Sequence, residues 1–456
     1  MTNRLIEKAI PVAVFFAILL PATAQNAAAR TLSSSPVLTL QQAVGISVET
    51  NPEHGIVANS RRATDEELRQ AEALYLPSVD VRMDGGYEHT RNPTLAFLSS
   101  SGEENLWRYN SAVTLTQMLF DGGAARYENL RQQARVLSAS HRVREAAELQ
   151  GLAAVESYLE VVRQRKLLKI AQENVAQHRG ILGKITDSTR SGKTTAADEQ
   201  QADARLTAAQ AEEQNVKEAL GAAESDFIRD IGREPKKLAS PPAAPATALE
   251  KTLEDEVKVS LAQNPTIHIS NADYQVAQQE YEATGAVMYP KFDFQLQGQD
   301  GYNIGGEPGR NIDGTALVVM NWNLYRGGAD IAKRREYINR EAQAKEERAK
   351  TARGVEADIR KTWAGRESAR ARSREFAAQA ANNVRVVAAY KDQFDLNRRT
   401  LLDVLDSQNE LFVSRADAVN AQYLEIFAIY RLLALKGDLL RTLNVPIPRE
   451  ADPETR

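Results

Sequence analysis

The feature that most constrains the fold is a stretch of chain that occurs twice. The first copy runs from Gly123 to Asp198 and the second from Gly328 to Asp403, so the ends of each copy are 75 positions apart. Each copy opens with hydrophobic residues and two glycines, and no proline follows before a short polar turn. The turns are Ser-Gly-Lys-Thr-Thr at 191–195 and Leu-Asn-Arg-Arg-Thr at 396–400. Equal proline-free lengths in both copies predict two matching long helices.

The composition and spacing of the two stretches support this prediction. Both are rich in Ala, Glu, Gln, Arg and Leu, which favour helices. Apolar residues recur at heptad distance, as in the pair Leu152 and Leu159, which is coiled-coil spacing. We predict long helices over 124–190 and 329–395, each about 100 Å long at about 1.5 Å per residue, and return helices over 198–230 and 401–443. Coiled coils also build rods and filaments, so the helices alone do not identify a function.

The first 24 residues are typical of a secretory signal. Arg4 and Lys8 precede an apolar run at 9–20, and Ala-Thr-Ala at 22–24 fits a cleavage site. The run is short and contains Pro11, which disfavours the alternative of a retained membrane anchor. The sequence therefore predicts an exported protein.

Composition excludes several classes of function. The 456-residue chain has no cysteine, which excludes disulfides, thiolate metal sites and an N-terminal lipid anchor. Its five histidines form no metal-binding spacing, and the net charge of −4 gives no reason to expect a nucleic-acid partner. No nucleophile–base pair stands out. Gly192-Lys193-Thr194 resembles the end of a phosphate-binding loop, but Asp187 stands where that motif requires a glycine. We expect no cofactor, no metal and no enzymatic activity.

The duplication extends over nearly the whole chain. The Asn-Pro pairs at 51–52 and 264–265 are separated by 213 positions, and the double glycines by 205. We predict a first repeat over 38–235, a linker rich in Pro and Ala over 236–251, a second repeat over 252–445 and a tail over 446–456. Because the offset changes only between the prolines and the glycines, the length difference lies in a surface loop of that segment.

Two segments, 77–119 and 290–324, have a different period. Val79, Val81 and Met83 alternate with polar residues, as do the apolar residues that follow Pro290. Alternating strands of roughly ten residues are typical of transmembrane β-barrels, although a soluble hairpin packed on the coiled coil is the alternative. Glycine-, Ser- and Asn-rich segments, Thr90–Gly102 and Gly298–Gly314, are predicted loops.

Four strands per chain cannot close a barrel, because the smallest barrels have about eight. A bilayer also tolerates no open sheet edge. The predicted fold is therefore an α+β membrane protein with long helices and a transmembrane β-barrel to which several chains contribute.

At this point the sequence resembles the TolC-type outer-membrane efflux proteins. The resemblance covers about 38–445 and rests on the Leu-Phe-Asp-Gly-Gly motif at 119–123, Leu-Tyr-Arg-Gly-Gly at 324–328, the Asn-Pro helix starts and the run from Arg399 to Asp406. It implies a homotrimer with twelve strands in the lipid of the outer membrane and a twelve-helix periplasmic tunnel. It also implies a periplasmic adaptor protein and an inner-membrane transporter of the ABC type.

The resemblance assigns roles at the periplasmic tip. Asp403 and Asp406 are one helical turn apart and so face one side; the family implies that they line the entrance as acidic rings, which favour cations. It implies that Arg399 links neighbouring tip helices, with Asp198 as a candidate partner. Phe394 stands where a family member has a gating tyrosine. The alternative for these residues is a solvated helix face with ordinary ion pairs.

Further positions follow from the same resemblance. The two turns are expected to dock the adaptor, and Asn397 replaces the usual glycine there, while Ala197 stands where a threonine can be. The docking residues are Gly192, Thr194, Asn397 and Thr400. The junctions between strands and helices are marked by Pro77, Gly122, Gly123, Pro290, Gly327 and Gly328.

The expected function is a passive, gated exit duct for type I secretion or small-molecule efflux. The missing lipid-anchor cysteine favours secretion, as does a resemblance to agglutination and adhesin-secretion members. The alternative is a periplasmic coiled-coil scaffold or adaptor without a channel.

Overall fold

The computed structural model describes residues 37–91, 102–396 and 398–455, so the signal segment and Asn397 lie outside the described residues. The first half contains α1 (Leu40–Thr50), α2 (Pro52–Ala73), β1 (Ser78–Arg91), β2 (Glu103–Phe120), α3 (Ala124–Arg190) and α4 (Ala196–Ile231). The second contains α5 (Leu253–Gln263), α6 (Pro265–Ala283), β3 (Lys291–Tyr302), β4 (Arg310–Asn321), α7 (Ala329–Asp395), α8 (Leu401–Lys436) and α9 (Leu439–Thr442). The element order of the first half is thus repeated in the second.

Local chemistry explains where the helices begin. The side chains of Asn51 and Asn264 accept hydrogen bonds from the first turns of α2 and α6, and each is followed by proline at the first helical position. Thr39 begins α1 with a capping box. The long helices α3 and α7 have 67 residues each and occupy the ranges 124–190 and 329–395 that the sequence predicts.

The last return helix is shorter than the sequence predicts. The prediction of one helix over 401–443 is wrong, because α8 ends at Lys436 and the four-residue α9 follows. Gly437 ends α8 with φ of 77°, a left-handed conformation that glycine adopts at little cost. A Cβ atom there would lie 2.9 Å from Pro265 Cδ, so the tight turn also brings α8 against the start of α6.

The four strands form one antiparallel sheet in the order β1-β2-β3-β4. One face is apolar across all strands: Val79 pairs with Leu115, Leu115 with Leu296, and Leu296 with Ala316. Three of these side chains belong to the alternating patterns from which the strands were predicted, and the fourth lies in the less regular β4. The ladder therefore confirms the strand prediction, with one apolar and one polar face.

The opposite face of the sheet is polar. Asp80, Thr114, Gln297 and Thr315 form the row beside the apolar one, each paired with the next. Further along this face Arg108 pairs with Asp84 and with Glu88 (2.9 Å).

The predicted loop over Gly298–Gly314 is wrong at both ends. Strand β3 continues to Tyr302 and β4 begins at Arg310, so only residues 303–309 connect them. Gly298 pairs with Gly314 in the ladder, and glycines that face each other neither clash nor break the pairing. In the first half, Thr90 and Arg91 likewise belong to β1, and residues 92–101 lie outside the described part.

The main hydrophobic core joins α1, α3, α4, α8, α9 and the linker. Tyr158 of α3 is fully buried, and its hydroxyl donates to the carbonyls of Leu38 (3.0 Å) and Ala239 (2.7 Å). Leu38 in turn exchanges backbone hydrogen bonds with 237–239, so the linker segment is part of a flanking layer on α3. In the described parts of the chain, no helix has both the length and the hydrophobicity that crossing a membrane requires.

Candidate functional site at the hairpin tips

The long helices form two antiparallel hairpins, α3–α4 and α7–α8, whose turns share one backbone pattern. The amide of Lys193 donates to the carbonyl of Ser188 (2.9 Å), and that of Arg398 donates to Gln393 (2.8 Å), exactly 205 positions later. Gly192 has φ of 71° and is exposed. Both turns are therefore sharp reversals that leave their polar groups accessible.

Each return helix begins with a capping box at the tip. In the first, Thr195 donates to Asp198 Oδ2 from its hydroxyl (2.8 Å) and its amide (3.0 Å), and the amide of Asp198 donates back to Thr195. Thr400 and Asp403 repeat these contacts in the second (2.8 and 3.2 Å). The third helical position is where a carboxylate satisfies the free amide at the cap. Both aspartates therefore have a structural role beside any role at the entrance.

These hydrogen bonds also keep the two carboxyl groups ionised. The backbone amide and the hydroxyl of Thr195 lower the pKa of Asp198. The hydroxyl and the amide of Thr400, and then the guanidinium of Arg399, lower the pKa of Asp403. Negative charge at the first turn is also favoured by the helix dipole.

Arg399 is held within its own hairpin. Its Nε donates to Gln393 Oε1 (3.0 Å), its Nη1 lies 3.7 Å from Asp403 Oδ2, and its guanidinium lies 4.2 Å from the centre of the Tyr390 ring. The candidate pairing of Arg399 with Asp198 is not formed within one chain, because Asp198 is bonded to Thr195. The family-implied link to a neighbouring helix stays a prediction.

The predicted acidic pair does not form an isolated cluster. Asp406 accepts from Arg205 Nη2 of α4 (2.9 Å), whereas Asp403 faces Arg399. Each carboxylate is thus engaged by an arginine, one from each hairpin. Arg205 and Tyr390 were missed by the sequence reasoning, since Arg205 is 201 positions from its partner and only the fold brings the two together.

An apolar cluster joins the two tips beneath these polar groups. Ile185 of α3 and Leu405 of α8 are fully buried in it, and Phe394 packs against its edge. Phe394 therefore contributes packing where the family implies a hydroxyl. The other members are Ile181, Leu182, Ala202, Tyr390, Leu401 and Val404.

The remaining docking candidates differ in exposure. Thr194 is half-buried and its hydroxyl lies 3.0 Å from that of Thr189, whereas Thr400 is exposed beside Asp403. Polar contacts continue above the tips, where Lys391 donates to Gln177 (2.7 Å). Among the described residues no group of three side chains is suited to a metal ion.

The strand–helix junctions are built differently in the two halves. Gly122 and Gly123 have φ of 72° and 92°, and Gly327 and Gly328 have φ of 62° and 84°. A Cβ atom on Gly122 would lie 2.4 Å from the carbonyl oxygen of Ala286, while one on Gly327 meets no described atom within 4 Å. Pro77 and Pro290 stand immediately before β1 and β3. The first junction therefore packs closely against the second half, and the second has no such neighbour within the described chain.

Comparisons with known proteins agree with this architecture. Residues 49–232 match the family model described as outer membrane efflux protein. The chain is 25% identical to the outer membrane efflux protein BepC of Brucella suis biovar 1 (strain 1330), over 90% of this chain and 89% of that one. It is 23% identical to the proteases secretion protein PrtF of Dickeya chrysanthemi, over 83% and 84%.

Solved structures share the fold. A membrane protein from Pseudomonas aeruginosa superposes with a TM-score of 0.78 at 16% identity, over 89% of this chain and 92% of that one. The outer membrane protein VceC of Vibrio cholerae superposes with a TM-score of 0.74 at 14% identity, over 90% and 97%. With the sheet, the paired hairpins and the duplicated motifs, these matches show that the chain has the fold of these proteins and that residues 49–232 match the outer membrane efflux protein family.

Proposed function

We propose that three copies of this chain form a gated exit duct across the periplasm and the outer membrane. The carrying observation is a pattern of contacts between the two halves. At three places the first half contacts the second within the chain, while the matching surface of the second half is uncovered in the described residues. A neighbouring copy would supply the missing partner each time.

The sheet is the first instance of this pattern. Strand β2 of the first half pairs with β3 of the second, while β1 and β4 each pair on one side only within the described chain. Unpaired edges of 14 and 12 residues invite further pairing. Closure therefore requires β4 of one copy to pair with β1 of the next, and the apolar face of the sheet would then surround the barrel.

The junctions are the second instance. Gly122 packs against Ala286, and the repeat relates these residues to Gly327 and Ala73. Gly327 has free space around it in the described chain. A neighbouring copy would place its Ala73 segment against Gly327, just as Ala286 lies against Gly122.

The helices are the third instance. Helix α3 packs against α2 of its own half and α6 of the other half, whereas α7 packs against α6 of its own half and, within the described chain, lacks the matching packing against an α2. The α2 of a neighbouring copy fits that position. All three instances use the same repeat relation, and the number three follows from the family resemblance.

The tip would be the gate of this duct. In the assembly, three copies of Asp403 and Asp406 would surround the entrance, partly balanced by Arg399 and Arg205. Like charges in a ring repel one another and favour cations. The exposed turns around Gly192 and Thr400 would dock the adaptor, which would connect the duct to an inner-membrane transporter.

The relatives indicate two kinds of cargo. One relative is named for efflux and the other for secretion of proteases. We favour type I secretion with an ABC transporter, because the chain lacks the lipid-anchor cysteine. No observation supports the alternative of a scaffold without a channel.

A cysteine cross-link tests the assembly. The repeat relates Leu115 to Met320 of β4 and Leu296 to Met83 of β1. Because Leu115 and Leu296 pair within the chain, we expect Met320 to pair with Met83 of a neighbouring copy. The natural chain has no cysteine, so Met83→Cys with Met320→Cys introduces the only thiols. Directly opposite residues in an antiparallel pair are close enough for a disulfide.

We expect the double variant, oxidised in membranes, to run as a covalent ladder that ends at three chains on a non-reducing gel. Either single variant, or Met83→Cys combined with Val319→Cys on the opposite face, should give no such ladder. Monomers only from the double variant, with normal membrane extraction, would contradict the proposed closure.

A further inference from the structure

The connection between β3 and β4 folds back over the sheet. It consists of residues 303–309 and is called the strap below. The short turn Ile304–Gly306 in the strap contacts both β2 and β1, although β1 is two strands away from β3 in the sheet. Neighbouring strands lie about 4.8 Å apart, so the strap reaches about 10 Å across one face of the sheet.

The strap lies on the polar face. Gly301 is five positions from Leu296 of the apolar face and therefore belongs to the opposite face. A Cβ atom on Gly301 would lie 2.0 Å from Ile304 Cδ1 and 3.5 Å from Asn110 Oδ1. Gly301 pairs with Asn110, and Asn110 pairs with Asp84, so the three positions form one row of the polar face. Because residue 301 has no side chain, Ile304 occupies the space above that row.

Polar contacts hold the strap at its base and at its far side. At the base, Asn303 Nδ2 donates to the backbone carbonyl of Trp107 (2.9 Å). At the far side, the backbone amide of Gly305 interacts with the carboxylate of Glu88 in β1. That carboxylate also accepts from Arg108 Nη1 of β2 (2.9 Å). The strap therefore rests on an ion pair that joins the two strands it crosses.

One group beneath the strap opposes this position. Asn110 Oδ1 is buried, and it has no hydrogen-bond partner among the described residues. A buried acceptor without a donor is unfavourable, and lifting the strap would return this oxygen to water. The strap is thus held by its two ends and opposed next to Ile304, as expected of a segment that lifts under load.

We propose that the strap forms a second constriction of the duct, at the end away from the hairpin tips. The helices join the other ends of β3 and β4, so the strap lies at the opposite end of the sheet from them. The location in the passage rests on the proposed function, because the polar face lines the passage only in the closed barrel. Three straps would then cross the outer mouth. They would bar large molecules that approach from outside and would lift for departing cargo.

Labelling of a single cysteine in intact cells that express the full chain tests this constriction. Thr116→Cys lies on the polar face of β2, six positions or roughly 20 Å from Asn110 on the side of the helices. The natural chain has no cysteine, so this thiol is unique. A small maleimide should label it readily, and a maleimide with a long polyethylene glycol chain should label it slowly. Leu115→Cys, on the lipid side of the proposed barrel, should resist both reagents.

Shortening the strap should open the passage. Deletion of residues 304–308 leaves Asn303 and Gly309 as a two-residue Asn-Gly turn between strand residues that already pair. Such a turn suits an antiparallel hairpin, so both strands should keep their register. We expect the long reagent to label Thr116→Cys at least about tenfold faster in this variant, because the width of a passage limits what enters it. The rate with the small reagent should not change.

Point variants combined with Thr116→Cys test how the strap is seated. Gly301→Val fills the space of Ile304 and should lift the strap, so the long reagent should again react faster. Gly298→Val is the matched control, because this glycine of the same strand lies on the apolar face with free space around it in the described chain. Asn110→Leu removes the unpaired acceptor at nearly constant volume. It should hold the strap more firmly and slow the reaction further.

The outcomes separate the strap from the duct. Equal rates of the long reagent with the natural and the shortened strap would overturn the constriction. A Gly301→Val variant labelled no faster than Gly298→Val would do the same, since Ile304 would not be seated on the polar face. Rapid labelling of Leu115→Cys would instead contradict the closed barrel itself. The cysteine ladder reports on the barrel independently, so an ineffective strap leaves the duct standing.

Discussion

Helices α3 and α7 have the same length and the same place in their repeats, yet their surroundings differ. In α3, 22 residues are buried; in α7, only five are. The reason is that α3 has neighbours from both halves, while α7 has them mainly from its own. Within one chain, the long helix of the first repeat therefore packs against both halves, and that of the second repeat packs mainly against its own half. In the proposed assembly, another copy would cover the exposed side of α7.

The largest expected effect comes from the junction glycines. Gly122→Ala should lower the stability of the folded chain by about 2–5 kcal/mol, because it adds strain at positive φ and a clash with Ala286. Gly327→Ala should cost an isolated chain only about 1 kcal/mol of strain, but it should also prevent assembly. Thermal melting and the mass of the detergent-extracted particle, measured by light scattering, separate the two effects.

For Gly122→Ala we expect a lowered melting temperature and little recovered protein. For Gly327→Ala we expect folded protein with the mass of a single chain. The adjacent Gly328→Ala, which has similar strain and also has no described neighbour, is the matched control. A Gly327→Ala trimer that melts like the natural one would mean that no neighbouring copy approaches this junction.

A second contrast concerns one charged position. Glu148 of α3 is buried and accepts hydrogen bonds from the amides of Leu439 (3.0 Å) and Leu440 (3.4 Å), while the corresponding Arg353 of α7 is exposed. Burial, only partly offset by these amides and Arg144, raises the pKa of Glu148 to about 7. The folded state thus holds this proton more tightly than the unfolded state, and its contribution to stability is lost as the pH rises through about 7.

We therefore expect the free energy of unfolding to fall by about 3 kcal/mol from this group between pH 4.5 and 8. Glu148→Gln cannot ionise and should flatten that slope, so that its advantage over the natural protein grows as the pH rises from about 4.5 and levels off above about pH 7. Urea unfolding at several pH values measures the slope. The control is Glu145→Gln, the same substitution less than one helical turn away. Parallel slopes for Glu148→Gln and the natural protein would show that Glu148 is already ionised in the fold.

The hairpin tips, in contrast to the long helices, begin their return helices in the same way. Thr195→Ala and Thr400→Ala each remove a capping box and should each cost about 1 kcal/mol of helix stability. Hydrogen exchange of the first-turn amides should increase at the altered tip only. If one variant loosened both tips, the apolar cluster around Ile185 and Leu405, and not the caps, would control local opening.

The sequence predicted these common features better than the differences. Proline-free runs that end in short polar turns predict both long helices and both turns, and these are local signals. The partners of Arg399 and Asp406 were not predictable, because Tyr390 reads as a coiled-coil residue and Arg205 comes from the other hairpin. Glycine misled twice: Gly298 and Gly314 lie in a ladder where a loop was expected, and Gly437 breaks a helix that composition alone would continue.

The smallest expected effect on stability concerns Arg399. Its counterpart in the first tip is Thr194, so among the described tip residues a guanidinium that contacts both an aromatic ring and a carboxylate occurs in the second tip alone. These groups are exposed, and exposed ion pairs contribute little to stability. The free energy of unfolding of Arg399→Ser should therefore lie within about 1 kcal/mol of that of the natural protein. In the proposed gate, however, the same change should raise the conductance of the closed channel in planar bilayers. Thr194→Ser, at the matching position, should leave that conductance unchanged. A closed state of Arg399→Ser as tight as that of the natural protein would mean that the polar contacts of the second tip fold the turn without controlling passage.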